Sequence, residues 1–240
     1  MSENERPLGE VVDDWKVPRW PFDVILEGVH VRLEPLNADK HAAGLFEAYG
    51  DAGWLWDYLG DGPYDALEDY AAWMRGAVAQ GDTLFLAILD RKSGAPVGIA
   101  SYLRINPNAG SIEVGNINFS PRLQRKAGAT EAMALMMGWA FDAGYRRYEW
   151  KCNALNAPSR RAAERLGFSF EGVFRQAMVV KGRNRDTAWF AVTDQEWPGL
   201  KEAFQKWLAP ENFDSEGQQI LKLGDLTAPI RVTSDPSLQE

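Results

Sequence analysis

The sequence predicts an α/β (α+β) fold, built on a mixed, mostly antiparallel central sheet with helices flanking both faces. Two patterns carry that expectation. Strand-like apolar runs at 83–89, 96–104 and 111–119 follow one another across the separators RKSGA and NPNAG, short and rich in turn residues, as in an antiparallel meander. Beyond them helical and strand-like patterns alternate, which adds helices and further strands to the same sheet.

Taken in order, residues 1–24 hold Pro7, Pro18 and Pro21 among charges and read as an extended arm, with Trp15, Trp20 and Phe22 available for packing. From 24 to 35, VILEGVHVRLEP alternates about a glycine, as two short strands meeting at a turn do. Asn37 or Asp39 can cap a helix running through Tyr49. Between 53 and 74 stand Trp54, Trp56, Tyr58, Tyr64, Tyr70 and Trp73, broken by GDGP at 60–63. A loop between two helices with so many rings can wall a substrate pocket, although such rings also build cores.

After the meander a helix is expected from Thr130, with Met133, Met136, Met137, Ala140 and Phe141 on one face and Gly144 ending it. A strand at 147–153 alternates Tyr148, Trp150 and Cys152 with polar residues. A short helix runs from Ala157 to Gly167, and strands at 168–175, 177–180 and 187–193 follow, the last two flanking the basic turn KGRNRD. A final helix covers 195–208, and 209–240 reads as a polar tail with one apolar patch at 220–226. The expected organisation is thus an arm (1–24), one domain (25–208) and a tail (209–240), without internal repeats.

Composition narrows the function. The chain of 240 residues has no run near the ~18 apolar residues of a membrane span, and its start lacks the pattern of a signal peptide, so a cytoplasmic protein with no membrane partner is expected. Cys152 is the single cysteine, which excludes an internal disulfide. His30 and His41 have no partner at metal-ligand spacing, so no metal is expected. The net charge of −8 speaks against nucleic acid, but the charge is unevenly spread. Residues 1–90 carry 18 acidic and 6 basic side chains, whereas 122–186 carry 6 acidic and 13 basic ones. That polarity suits a polyanionic cofactor on the second half and a cationic substrate near the first, with an ordinary solvated surface as the plainer reading. Loose apolar residues in the arm and tail leave a homodimer open.

The stretch QRKAGATEA, Gln124 to Ala132, places small residues where a strand gives way to a helix. A helix start leaves N–H donors unpaired and carries partial positive charge, so a phosphate group fits there; close packing is the other use of small residues at such a junction.

The order of elements, together with particular motifs, resembles the GNAT acetyltransferases, and within them the RimJ/RimL branch. The carriers are Glu113-Val114-Gly115, Gln124 with Ala129-Thr130-Glu131-Ala132, Asn156-Ala157-Pro158-Ser159, and Leu166-Gly167-Phe168-Ser169-Phe170-Glu171-Gly172. The resemblance covers about residues 25–208. It implies acetyl-CoA as co-substrate and a small-molecule or peptide amine as acceptor. It also implies that the pantetheine arm lies along Ile117, Asn118 and Phe119, with a main-chain N–H there polarising the thioester carbonyl. Arg125, Lys126, Ala127, Gly128, Ala129 and Thr130 would hold the pyrophosphate, with Gln124 as a further cofactor contact. Ala127 stands where the family usually has its first glycine; Gly128 is expected to supply the missing freedom, and an acyl-CoA sensor or scaffold without turnover stays open. A nucleotide-binding protein using the same turn lacks the Lys-Ser/Thr of a P-loop downstream.

The reaction needs a neutral amine and a proton donor for the departing thiolate. Deprotonating an α-amine of pKa ~8 at pH 7 costs ~1.4 kcal/mol, against ~4.6 kcal/mol for a lysine, so a weak base acting through water suffices for the former. Glu113 is the candidate base, with a solvated strand carboxylate as its bland alternative. Ser159 is the candidate donor, steadying the thiolate by a hydrogen bond. Asn156 reads both as a helix N-cap and as a cofactor contact. Arg160 could meet a cofactor phosphate or lie on the surface. Cys152, alternating with aromatic residues, reads as core, so transfer is expected to be direct. Trp54, Trp56, Tyr58 and Tyr64 are the candidate acceptor wall, with Asp57, Asp61 and Asp65 steering a cationic amine.

Overall fold

Alternation along 83–119 produces three neighbouring strands, and five more complete one eight-stranded sheet. In chain order the elements are β1 (Leu26–Glu27), β2 (Val31–Pro35), α1 (Ala38–Tyr49), α2 (Leu67–Ala79), β3 (Leu84–Asp90), β4 (Pro96–Asn106), β5 (Ser111–Phe119), α3 (Ala127–Asp142), β6 (Arg147–Asn153), α4 (Ala157–Arg165), β7 (Ser169–Val180), β8 (Arg183–Thr193), α5 (Trp197–Leu208) and α6 (Leu223–Thr227). This computed structural model describes residues 6–238; the first five residues of the expected arm and the last two of the expected tail lie outside them. Strand order is β1-β2-β3-β4-β5-β6-β8-β7, and β5–β6 is the parallel pair among antiparallel neighbours. The fold class is therefore the one expected.

Strand alternation sends neighbouring side chains to opposite faces. On one face Ile112 and Val114 of β5 and Tyr148 and Trp150 of β6 pack with Met133, Met136 and Met137 of α3. On the other, Ala87 of β3 and Ile99 of β4 pack with Leu45 and Tyr49 of α1 and Tyr70 and Met74 of α2. Asn37 caps α1 by accepting the Lys40 N–H at 3.0 Å. Among the described residues no helix is long and apolar enough to cross a membrane.

Three local expectations are corrected. Helix α3 begins at Ala127 rather than Thr130, because the small residues 127–129 form its first turn instead of a loop. The strands expected at 168–175 and 177–180 are one strand, β7, whose break is a register shift between Phe174 and Met178 with Gln176 at φ 51°. The basic turn shrinks to Lys181 and Gly182, both at positive φ (48° and 71°), the geometry of a two-residue hairpin loop; the rest of KGRNRD belongs to β8. Beyond α5 the chain is anchored rather than loose: Leu223 is fully buried, and Asp235, also buried, pairs with Arg160. In the arm, Trp15 packs under Arg146 and the Arg19 carbonyl accepts the Tyr145 hydroxyl at 3.2 Å.

One buried carboxylate fixes the start of α3. Glu131 accepts the main-chain N–H groups of Val29, His30 and Val31 at 2.8, 2.7 and 2.9 Å, tying the β1–β2 turn to the helix. Gly28 makes the approach possible, since a Cβ there would lie 2.4 Å from the Glu131 carboxylate. Charge-assisted hydrogen bonds of this kind are among the stronger ones, and their loss leaves buried donors unsatisfied. Glu131→Ala is therefore expected to lower the unfolding free energy by about 2–4 kcal/mol in urea titrations. Gly28→Ala, which adds one methyl group to the turn, should destabilise through the same contact; an unchanged denaturation midpoint for both variants would contradict the anchor.

Candidate active site

Gly115 and Asn116 interrupt the alternation along β5, and there the strand bulges. Between the pairs Ser101↔Gly115 and Ile99↔Asn118, β4 advances two residues while β5 advances three. Asn116 takes φ 49°, its Nδ2 donates to Ser101 Oγ at 2.9 Å, and Ser101 Oγ donates to the Gly115 carbonyl at 3.1 Å. An extra residue bends its strand and disrupts the ladder. Accordingly the parallel pairing of β5 with β6 stops at Val114↔Trp150, although both strands continue. The strands part, and a cleft of about 680 Å³ opens between them.

By alternation this cleft has residues from both faces of the sheet. On the α3–α4 side it is lined by Met133, Trp150, Cys152, Asn156, Ser159 and Arg165; on the opposite side by Trp54, Tyr58, Arg104, Glu113, Lys151 and Arg185. It is a passage through the sheet.

On the first side, the amides of Arg125, Ala127 and Gly128 have no main-chain acceptor among the described residues, while Ala129 donates to the Lys126 carbonyl at 3.1 Å. Gln124 Nε2 donates to the Phe119 carbonyl at 2.8 Å and closes the turn. Positive φ falls on Arg125 (60°), so Gly128 does not supply it as expected. Gly128 is instead a packing glycine: a Cβ would lie 2.8 Å from Val31 Cγ1. Ala127, the first helical residue, has no positive φ, so its methyl group does not strain the turn. Gln124, Arg125, Ala129 and Thr130 line the cleft; Lys126, which is exposed, and Ala127 and Gly128, at the turned-in start of the helix, do not.

Ile117, Asn118 and Phe119 line it too. Asn118 is 2% exposed, and neither polar atom of its side chain has a partner. Asn156 caps α4 by accepting the Ser159 N–H at 3.1 Å, and it faces the cleft, so the cap and the lining position coincide. Ser159 Oγ accepts the indole N–H of Trp150 at 3.1 Å. Burial pushes the Cys152 thiol up, despite a hydrogen bond with Ser159. Arg160 does not reach the cleft: its Nε and Nη2 hold Asp235 at 2.5 and 2.6 Å, and Nη1 donates to the Ala154 carbonyl. The expected phosphate contact is corrected, because all three nitrogens are engaged with the chain's own groups. Arg165, which the sequence gave no reason to single out, stands in the cleft instead, donating to Thr130 Oγ1 at 3.0 Å with its guanidinium over Trp207.

On the second side lies a chain of ion pairs. Arg104 Nη1 meets Glu113 Oε1 at 2.7 Å, Glu113 Oε2 meets Lys151 Nζ at 2.9 Å, and Lys151 meets Glu149 at 2.7 Å. Arg147 joins Glu149 to Glu171. Glu113 and Glu149 are register partners across the parallel pair, which puts them side by side. Lys151 Nζ also lies 3.6 Å from the centroid of Trp189. Burial pushes the Glu113 carboxyl up against the pull of Arg104 and Lys151, and it is 2% exposed. Glu149 also resists burial, but hydrogen bonds from Arg147 and Lys151 hold it below the usual carboxylate range. The polar run Arg147, Glu149, Lys151 on one side of β6 was the available signal for this cluster; Arg104 and Arg185 had none.

Of the four expected wall residues, Trp54 and Tyr58 line the cleft, and the Tyr58 hydroxyl donates to the Leu155 carbonyl at 3.3 Å. Trp56 and Tyr64 do not. Trp56 is 5% exposed and meets Tyr49, Tyr64, Tyr70 and Trp73 edge-on, at ring separations of 5.2 to 6.1 Å, because the loop folds back onto α1 and α2. Tyr64 packs in the same cluster, where burial pushes its phenol up. Asp57 lines the cleft; Asp61 and Asp65 do not.

Known proteins share this architecture. A family model described as acetyltransferase (GNAT) domain matches residues 30–169. The solved structure of a GCN5-related N-acetyltransferase from Brucella melitensis is 50% identical, with a TM-score of 0.88 over 90% of this chain and 100% of its own. A probable acetyltransferase of the GNAT family from Chromobacterium violaceum is 39% identical, with a TM-score of 0.76 over 82% of this chain and 100% of its own. RimL, a ribosomal L7/L12 alpha-N-protein acetyltransferase in complex with coenzyme A, is 21% identical, with a TM-score of 0.61 over 71% of this chain and 99% of its own, a likeness of fold alone. No protein of curated function matches the chain.

The division of the aromatic segment can be measured. Trp56→Ala empties the centre of a ring cluster and should cost about 3–5 kcal/mol of stability. Trp54→Ala, at an exposed position, should leave the thermal midpoint within a few degrees while altering acceptor KM. Equal stability losses for the two would contradict the assignment.

Proposed function

This chain belongs to the acetyltransferase (GNAT) domain family, and we propose that it is an acetyl-CoA-dependent N-acetyltransferase of the RimJ/RimL-like kind, passing the acetyl group directly to a primary amine. The acceptor is a small molecule or a peptide terminus. The observation that carries the reading is the passage itself, which joins the turn at Arg125 and the first turn of α3, at Ala129 and Thr130, on one face of the sheet to a buried carboxylate on the other.

The residues present fit the cofactor. Beyond Val114 the β6-facing edge of β5 has no strand to pair with, and the Asn118 amide is buried without a partner, so the opening has hydrogen-bonding capacity to spare. Acetyl-CoA supplies an activated thioester and a thiol leaving group when bound. The amides of Arg125, Ala127 and Gly128 would hold its diphosphate, with the Arg125 guanidinium as counter-charge and Ala129 and Thr130 beside them. Ile117, Asn118 and Phe119 would hold the pantetheine arm and direct a main-chain N–H at the carbonyl, a donor worth about 2.7–4 kcal/mol in a comparison enzyme.

On the acceptor side Glu113 takes the amine's proton through water; burial, by raising its carboxyl, brings it closer to the pH at which a base works best. Ser159 Oγ accepts the Trp150 indole N–H and lines the cleft, where its hydroxyl would turn from Cys152 to donate to the departing thiolate. Cys152, raised by burial, stays a thiol at neutral pH, which supports transfer without an acyl-enzyme. The sensor alternative loses its motive, since Ala127 sits in ordinary helical geometry.

Calorimetry with coenzyme A and acetyl-CoA, followed by mass spectrometry of an amine library, tests the reading; no uptake of either ligand by folded protein would end it. For the base, the sign is fixed by burial: Glu113 works only when ionised, so kcat/KM should climb with pH through an apparent pKa above the usual carboxylate range and fall away below it. Glu113→Gln should remove that limb and lower kcat by about 10²-fold. Ser159→Ala is expected to slow turnover with coenzyme A affinity nearly intact, and Cys152→Ala to keep turning over, whereas loss of all activity in the latter would indicate a covalent route.

A further inference from the structure

The ion-pair chain that reaches the acceptor mouth through Arg104, Glu113 and Lys151 is balanced in charge. Arg104, Lys151 and Arg147 alternate with Glu113, Glu149 and Glu171, three cations with three anions. Arg185 stands outside it. It lies on β8 at the same parity as Trp189, the residue over which Lys151 sits, so it projects to the acceptor side, and it lines the cleft. Among the described residues no carboxylate pairs with its guanidinium, and its Nε is sealed from solvent without a hydrogen-bond partner.

Its acidic neighbours are turned to other partners. Asp186 turns away, accepting the Gln176 amide at 2.7 Å and the Asn184 side chain at 3.0 Å. Glu113 is ion-paired with Arg104 and Lys151 rather than with Arg185. Burial and the like charge of Arg104 weaken the charged form of Arg185, while Cys152 and Glu113 favour it. A half-buried guanidinium with no counter-ion is costly to keep, and its planar fork matches a carboxylate.

Resting on the acetyltransferase reading above, we propose that Arg185 receives a carboxylate of the acceptor, so that the preferred substrates are amines that also carry a carboxylate. The mouth then complements a zwitterion: Asp57 stands on the cleft wall for the ammonium as it arrives, Glu113 for its proton, and Arg185 for the anionic end. A free amino acid and a peptide whose first residue has an acidic side chain share this chemistry. Arg185 sets specificity and takes no part in the bond changes.

The test uses the full-length protein and matched acceptors: amino acids against their α-amides, and dipeptides beginning with Asp or Glu against those beginning with Asn or Gln. Thiol release from acetyl-CoA is compared at equal concentrations of neutral amine. The carboxylate form should show a kcat/KM about tenfold or more higher in at least one of the two pairs, and the pair that shows it identifies the source. Arg185→Gln should collapse that ratio toward one through KM, and Arg185→Lys should keep part of it. A wild-type enzyme indifferent to the carboxylate in both pairs, or one preferring the amides, overturns the proposal. So does an Arg185→Gln protein that loses both members of a pair in proportion, or that loses coenzyme A binding, since the arginine would then serve the fold or the cofactor. If coenzyme A binds and no amine is acetylated, the transfer reading fails on its own. The carboxylate site is then decided by equilibrium binding of an N-acetylamino acid against its amide to the coenzyme A complex: tighter binding of the acid, lost in Arg185→Gln, upholds it, and equal binding removes it.

Discussion

Beyond Val114 strand β5 no longer pairs with β6, because the extra residue at Asn116 turns the chain out of the ladder and the Asn116–Ser101–Gly115 hydrogen bonds hold it there. Main-chain groups that a continuous sheet would have satisfied are left facing an opening, and in a dry interior each would cost about 1–3 kcal/mol. Water or an extended guest must meet them. The left-handed backbone of Asn116 is a strained choice for a residue other than glycine, tolerated here because its own amide side chain pays for the turn locally. Arg125 before α3, Asn156 at the start of α4 and the buried Glu113 all face the space this divergence creates.

The two helix starts that border the opening are held from outside it. Glu131 binds α3 to the β1–β2 turn through three amides, and the same helix presents Ala129, Thr130 and Met133 to the cleft. For α4 the anchor comes from the far end of the chain, where Asp235 clamps Arg160 and its own amide donates to Glu164 at 2.6 Å. Neither carboxylate touches the cleft. Each fixes the angle at which a helix dipole and its free N–H groups meet the opening, the kind of supporting contact on which a binding geometry depends.

On the opposite face, charge is kept at low cost by alternation. Lys151 is almost enclosed, and two carboxylates and the face of Trp189 surround its side-chain nitrogen, partners that offset the cost of burying it. The cluster of Trp56, Tyr64, Tyr70 and Trp73 behind the loop plays a mechanical part, pinning the segment from which Trp54 and Tyr58 reach the cleft. Lys181, at the tip of the β7–β8 hairpin, donates to the Trp56 carbonyl at 2.8 Å and braces the same loop from the other side. The loop borders the cleft through residues 54–60, while Trp56 within that run and Tyr64 beyond it turn into the core.

Taken alone, the sequence determined whatever depends on near neighbours in the chain. Period-two alternation set which residues of β3 to β6 face which helix layer, Asn37 and Asn156 marked two helix starts, and the small residues after β5 marked a third. Those are short-range steric and hydrogen-bonding rules, legible without knowing the fold. Tertiary structure decided what depends on distant partners. Whether Arg160 meets a phosphate or Asp235, whether Trp56 walls a cleft or fills a core, and whether Arg185 is matched by an acid are questions about groups tens of residues apart. Their answers follow from strand register and from how loops fold back, and burial makes each pairing or its absence count, because an unmatched charge that water would screen at the surface must find its partner inside.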